Sequence, residues 1–312
     1  MQRLDGAKPV PASLAGGIVA LGNFDGFHLG HQAVVGAAVA RARAEWRPAL
    51  VATFDPHPVR LFKPDAEPFR LTSLEQRARL FAAAGVDAMM VFRFDAALAA
   101  LTARAFVEER LLGDLKIGGV VTGEDFTFGR GRSGTVATLR DWGRELGFSS
   151  DAVAPVALDR ETVSSTRIRQ HLIAGEPRDA ARLLTRPFAI EGVVQHGDKL
   201  GRTIGYPTAN LDMGDYLRPA YGIYAVRGRL DDGRVLDGAA NLGIRPQFDP
   251  PKELLEPYFF DFQGDLNGQR LSVELIDYLR PEAKFDSLDA LVAQMDADCA
   301  RARTILSSHN PA

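Results

Sequence analysis

Ile18-Val19-Ala20-Leu21-Gly22-Asn23-Phe24-Asp25-Gly26-Phe27-His28-Leu29-Gly30-His31 decides the fold of the first half of the chain. The apolar run 18–21 reads as a buried parallel strand. It breaks at Gly22, and Asn23, Asp25 and Gly26 supply the chemistry of a tight turn. A helix rich in Ala and Val is expected over 29–44. His28 and His31 stand three apart at its start, so both lie on one face. Unpaired N–H groups and the positive end of the helix dipole favour an anion there. Two imidazoles on that face would donate to a triphosphate or stabilise a pyrophosphate leaving group. Two surface histidines at a helix start are the plainer interpretation, but the strand, Gly-Asn turn, Asp-Gly and helix around them form a phosphate-site context.

The chain has 312 residues, enough for two cores, with 46% hydrophobic and 25% charged residues, as in ordinary globular proteins. A net charge of −3 leaves no basic footprint for nucleic acid or an anionic membrane. Local sites must therefore hold anionic substrates. The single Cys299 rules out an internal disulfide, and no cysteine cluster suggests zinc. No apolar run approaches a membrane span, so a cytoplasmic location is expected, with no membrane and no nucleic-acid partner.

Short apolar runs alternate with helical stretches up to about residue 158. Strands are expected over 49–54, 86–94, 117–122 and 148–156, and helices over 74–84, 104–112 and 135–146. Such alternation predicts a mostly parallel sheet with ligands beyond the carboxyl ends of its strands. The turn after Leu21, the rigid Asp55-Pro56-His57-Pro58 loop and the 123–134 loop would share that edge. Gly129-Arg130-Gly131-Arg132-Ser133-Gly134 spells a dinucleotide fingerprint but follows an aromatic loop rather than a strand, so a covering loop is expected instead. Ser164-Ser165-Thr166-Arg167-Ile168-Arg169 offers an N-cap and, beyond it, hydroxyls and arginines for a second anion site.

Near residue 185 the pattern changes to short β-type runs over 188–195, 221–230, 235–241, 255–262 and 271–279, then a terminal helix capped by Ser287. An antiparallel sheet or small barrel is expected, with Asp231-Asp232-Gly233 as a hairpin turn. Gly197-Asp198-Lys199-Leu200-Gly201-Arg202-Thr203 fails as a P-loop by spacing and context. Gly201 and Arg202 instead open a glycine loop leading to Thr208 and Asn210, neutral oxygen donors for Mg²⁺ and phosphates. Asn241-Leu242-Gly243-Ile244-Arg245-Pro246 reads as a second Gly/Asn turn. Glu256 reads as a carboxylate at a strand edge, where a solvated role is the plainer expectation.

His-x-Gly-His and Ser-Ser-Thr-x-Ile-Arg resemble the paired phosphate signatures of the nucleotidyltransferase superfamily. The run 22–31 resembles more narrowly the bifunctional riboflavin kinase/FAD synthetase family. So do Gly-Arg-x-x-Gly-x-Pro-Thr-Ala-Asn (201–210), Asn-x-Gly-x-Arg-Pro (241–246), Leu255-Glu256 and Leu279-Arg280-Pro281-Glu282-Ala283-Lys284-Phe285. In the family's order these cover 17–305. The resemblance implies a Rossmann-like nucleotidyltransferase domain over 1–185 and a riboflavin kinase barrel over 186–312. It implies ATP as co-substrate with Mg²⁺ at Thr208 and Asn210, and riboflavin, FMN and FAD as substrate, intermediate and product. Glu256 would be the kinase base. His28 and His31 would act in adenylylation, with Gly22, Asn23, Asp25, Gly26, Ser164, Ser165, Thr166 and Arg169 around the nucleotide. His57, Asp125, Phe126, Phe128 and Arg280 would contact flavin. Thr127, Gln247, Pro257 and Asn267 depart from the family pattern. The alternatives are a nucleotidyltransferase for another substrate and a flavin-binding regulator on the same scaffold.

Overall fold

The structure, a computed structural model, describes residues 1–6, 8–196, 205–245 and 252–308. The chain divides into two compact units, Met1–Glu67 with Thr72–Ser164, and Pro68–Leu71 with Ser165–Ala312.

The first unit is built on a six-stranded parallel sheet: β1 (Gln2–Asp5), β2 (Ile18–Leu21), β3 (Ala49–Asp55), β4 (Ala88–Arg93), β5 (Gly119–Gly123) and β6 (Ser149–Val153), in the order β1-β4-β3-β2-β5-β6. β2 sits inside the order and is buried along its whole length, which is why it carries no polar residue. β1 leaves no signal in the sequence: of its four residues only Leu4 is apolar, and they pair at the edge, Gln2 opposite Ala88. Helices α1 (Leu29–Ala44), α2 (Leu74–Ala83) and α3 (Val136–Leu146) follow strands β2, β3 and β5, respectively. Ser73 and Gln76 form a capping box on α2, and Thr135 and Thr138 form one on α3. The helix expected over 104–112 begins at Thr102 but winds as a π-helix over Phe106–Asp114, laying Phe106, Val107 and Leu111 into the core.

The second unit opens with α4 (Ser165–Ile173) and α5 (Pro177–Leu184). Six antiparallel strands follow: β7 (Phe188–Val193), β8 (Leu211–Asp212), β9 (Gly222–Leu230), β10 (Val235–Arg245), β11 (Lys252–Phe259) and β12 (Arg270–Arg280), in the order β7-β12-β9-β10-β11-β8. The two ends of this order meet: β7 lies against β8, and the Gln195 N–H donates to the Asn210 carbonyl at 2.9 Å. The sheet is thus a nearly closed barrel. The Asp231-Asp232-Gly233 turn joins β9 to β10 with Gly233 at φ 88°. Two expectations change. β8 was missed because two paired residues leave no periodicity. Residues 241–245 are not a turn but the end of β10, since Asn241 to Arg245 stay in register with Glu256 to Lys252. The terminal helix α6 (Leu288–Ser308), capped by the Ser287 hydroxyl, packs on β9, β10 and β12 with Ala302 and Leu306 buried.

Candidate functional sites

In the first unit all six strands run parallel, so the turn after β2, the loop after β3 and the loop after β5 open on one edge of the sheet. His28 is buried and forms the N-cap of α1, its Nδ1 accepting the His31 N–H at 3.4 Å. A ring nitrogen that accepts carries no proton, so the neutral imidazole keeps its proton on Nε2, a donor. The two imidazoles stack with centroids 3.6 Å apart, and the Phe24 ring meets His31 edge-on at 5.4 Å. Gly30 permits this stack, because a Cβ there would lie 3.2–3.3 Å from the His28 ring.

The turn itself is conformationally costly: Phe24 and Phe27 have φ of 53° and 43°, beside Gly26 at 85°. Asp25 is buried and accepts from the Thr72 N–H at 3.0 Å and the Thr72 hydroxyl at 3.3 Å, so it fixes the turn. Asn23 Oδ1 is buried without a hydrogen-bond partner among the described residues, and Gly22 leaves room for the Phe24 ring. His57 caps a short helix, Pro58–Phe62. After β5, Asp125 is exposed and Phe126 half-buried. Phe128 is buried in the core against Phe106, centroids 5.7 Å apart. The glycine run 129–134 has a packing explanation: a Cβ at Gly129 or Gly134 would strike Ala103 or the Phe128 ring at about 2.6 Å. It turns a two-strand hairpin into α3. The 164–169 motif straddles the division of the chain, with Ser164 closing the first unit and Ser165, Thr166 and Arg169 opening α4. Arg169 Nε donates to the Phe69 carbonyl at 2.8 Å, its guanidinium over the Phe69 ring.

The second unit holds a cavity of about 450 Å³ between the barrel wall and α6. Ile223, Ala239, Phe285, Leu291 and Met295 make it mostly apolar, and Thr208, Asn241, Arg245, Glu256 and Arg280 give it polar points. Glu256 is not a solvated edge residue. Its strand is flanked on one side by Asn241 of β10 and on the other by 208–210, where Thr208 bridges Tyr258 and the Ala209 N–H donates to Pro257. Its carboxylate is paired with the Arg245 guanidinium, which also lies 4.0 Å from Glu282. Burial pushes the Arg245 pKa down, against the pull of Glu282. Gly243 makes space for Glu282, since a Cβ there would lie 2.1 Å from its carboxylate. Arg280 is fastened to Asp298 of α6, with Nη2 at 2.7 Å, so it acts as cavity wall with few donors to spare. Thr208 also borders a smaller cavity with Pro207, Phe262, Asp265 and Asn267. Asn210 lies two residues on, half-buried. Gly201, Arg202 and Gln247 lie outside the described residues.

The model of the FAD synthetase family matches residues 10–167, and that of riboflavin kinase matches 184–306. A bifunctional riboflavin kinase/FMN adenylyltransferase of Escherichia coli strain K12 is 39% identical over 297 residues, covering 95% of each chain. The chain belongs to the bifunctional riboflavin kinase/FMN adenylyltransferase family. A protein so named from Haemophilus influenzae is 36% identical, covering 99% of this chain and all of its own. A crystal structure titled as a macrolide-efflux protein from Streptococcus pneumoniae superposes with a TM-score of 0.87 at 31% identity, covering 97% of this chain and 99% of its own. The efflux role in that title is said of that protein. Among the described residues of this chain no helix is long and apolar enough to cross a membrane. The two family matches flank the segment 168–183, which holds most of α4 and α5, with the parallel sheet within the first match and the barrel within the second.

Thr53, Thr72, Arg77 and Asp298 stand in no motif of the sequence, because each holds another group; Arg245 stands in the 241–246 motif, but its pairing with Glu256 is visible only in the structure. Arg77 was hidden as one of two arginines on an amphipathic helix, although the lone buried arginine on an apolar face was a signal available in the 3.6-residue period.

Proposed function

We propose that the chain phosphorylates riboflavin in the second unit and adenylylates the product in the first. The observation that carries the kinase half is the meeting of Glu256 and Thr208, on adjacent antiparallel segments, at one apolar cavity of a size suited to a small ligand. The isoalloxazine ring fits the apolar part. The ribityl 5′-hydroxyl, directed to Glu256, gives up its proton to the carboxylate as its oxygen attacks the γ-phosphorus of ATP, and ADP leaves. Arg245, paired with that carboxylate, brings a positive charge to the side of the cavity where the phosphoryl group would lie. Thr208 and Asn210 are neutral oxygen donors two residues apart. Such a set suits a Mg²⁺ ion whose remaining ligands are phosphate oxygens and water. Mg²⁺ would neutralise charge on the ATP phosphates.

In the first unit a phosphate oxygen of FMN attacks the α-phosphorus of a second ATP, and pyrophosphate leaves. The nucleophile is already anionic, so alignment and charge stabilisation suffice. His28 and His31 donate to the phosphates at the start of α1. The turn 22–26 completes the nucleotide site within that unit, and the hydroxyls and arginine of 164–169 are offered as a further phosphate-binding motif. His57, Asp125 and Phe126 surround the flavin, with Phe128 supporting them from the core. Chromatography of flavins after incubation with riboflavin and Mg-ATP tests the proposal. FMN followed by FAD is expected. Conversion of supplied FMN to FAD with riboflavin left unchanged would remove the kinase half.

A further inference from the structure

The turn that carries the two histidines has its own Phe27 N–H to Phe24 carbonyl bond at 3.1 Å, and several further contacts tie it to one neighbouring segment. The Gly26 N–H donates to the Thr72 hydroxyl at 2.9 Å, and Asp25 accepts from Thr72 as described. The Phe24 and Phe27 rings pack edge-on against Phe81 of α2 at 5.8 and 5.1 Å. Between Thr72 and Phe81 stands Arg77, only 4% exposed. Its Nη1 donates to the Asn23 carbonyl at 2.8 Å and to the Thr53 hydroxyl at 2.9 Å, and that hydroxyl donates in turn to the same carbonyl at 3.0 Å. Its Nη2 lies 3.6 Å from the Asp55 carboxylate. One buried guanidinium thus ties the ends of β2 and β3 to α2. The charge it brings to the sheet edge is of the sign that a triphosphate needs.

We propose that Arg77 is a positioning residue for adenylyl transfer. It clamps the Asn23 carbonyl, and so the left-handed turn that presents His28 and His31, in the geometry the transition state requires. It touches no substrate; it acts through the turn. This rests on the FMN adenylyltransferase assignment of the first unit. The loss from a slackened turn therefore falls on kcat, because a displacement of about 1 Å in an aligned site costs about 10²-fold.

The test uses the full chain with FMN and Mg-ATP, and riboflavin phosphorylation by the same preparations as the control for an intact second unit. Arg77→Met is expected to lower kcat for FAD formation about 100-fold, with KM for FMN within about threefold and riboflavin phosphorylation unchanged. Arg77→Lys keeps the charge and one donor and is expected to recover part of the loss. Thr53→Val, which removes one leg of the clamp at the same volume, is expected to lower kcat by a smaller factor. Combined with Arg77→Lys it is expected to cost less than the product of the two single factors. Wild-type kcat in Arg77→Met overturns the proposal, as does a loss confined to KM. If Arg77→Met does not fold, wild-type kcat in both Arg77→Lys and Thr53→Val overturns it. Wild-type protein that makes no FAD from FMN removes the adenylyltransferase assignment itself, and the clamp with it, an outcome distinct from failure of the variants alone.

Discussion

The His28–His31 stack depends on what residue 30 lacks. Alanine is a better helix residue than glycine by up to about 1 kcal/mol, so Gly30→Ala should not weaken the fold. It would nevertheless press on the His28 ring at 3.2–3.3 Å. The expected outcome is an unchanged or raised melting temperature with FAD formation from FMN reduced about tenfold, read by melting and by flavin chromatography on one preparation. Cys299, which lines the larger cavity, has its thiol pushed up to about 11 by burial and by the nearby carboxylates of Asp298 and Asp296. The reactive thiolate is therefore scarce at neutral pH and grows about tenfold per unit as pH rises toward that value. Iodoacetamide labelling followed by mass spectrometry should show this rise between pH 7 and 10 and protection by riboflavin. A rate that levels off near pH 8.5 would place the thiol in an unburied setting. At this scale the sequence singles out residues that carry chemistry by type and spacing, and His28, His31, Thr208 and Glu256 are the candidates it offers. It is silent where a residue works through a partner outside its own motif: Asp298 next to Arg280 and Arg77 next to Asn23 are such pairs.

Among elements, legibility followed apolar periodicity. β2 and β3 are continuous apolar runs and were read within a residue, whereas β1 and β8 are short edge or closing strands with almost none. The Asn241–Arg245 segment looked like a turn because Asn and Gly dominate it. Its glycine serves instead the close approach of Glu282 to a strand. The helices α4 and α5 illustrate a different limit. The change of composition near residue 185 marks where the β pattern begins, but Ala180, Leu183 and Leu184 of α5 are buried, and α5 packs on β7 and β12. A fragment of residues 165–312 should accordingly be folded by circular dichroism. One of residues 186–312, which exposes the apolar ground under α5, should melt at least several degrees lower or aggregate. Equal melting temperatures for the two fragments would show that α5 contributes nothing to the barrel.

For the whole molecule, two reactions are proposed for two units, each with its own fold and its own candidate for holding phosphate: a helix start at the edge of a parallel sheet, and donors on the wall of a nearly closed barrel. The order of the units, their fold classes and the family were legible from motifs spread over nearly the whole chain. The shape of each cavity was not, because it depends on which side chains of distant strands face inward together. The central claim is that Glu256 serves phosphorylation and has no part in adenylylation. Glu256→Gln keeps the size and hydrogen-bonding reach of the side chain but accepts no proton at neutral pH. The most direct measurement is the flavin product profile of this variant, supplied in parallel with riboflavin and with FMN in Mg-ATP. Riboflavin phosphorylation is expected to fall by roughly 10²–10⁴, with FMN converted to FAD at the wild-type rate. Riboflavin phosphorylated within a few-fold of wild type, or FAD formation from FMN lost together with it, would remove Glu256 from this role.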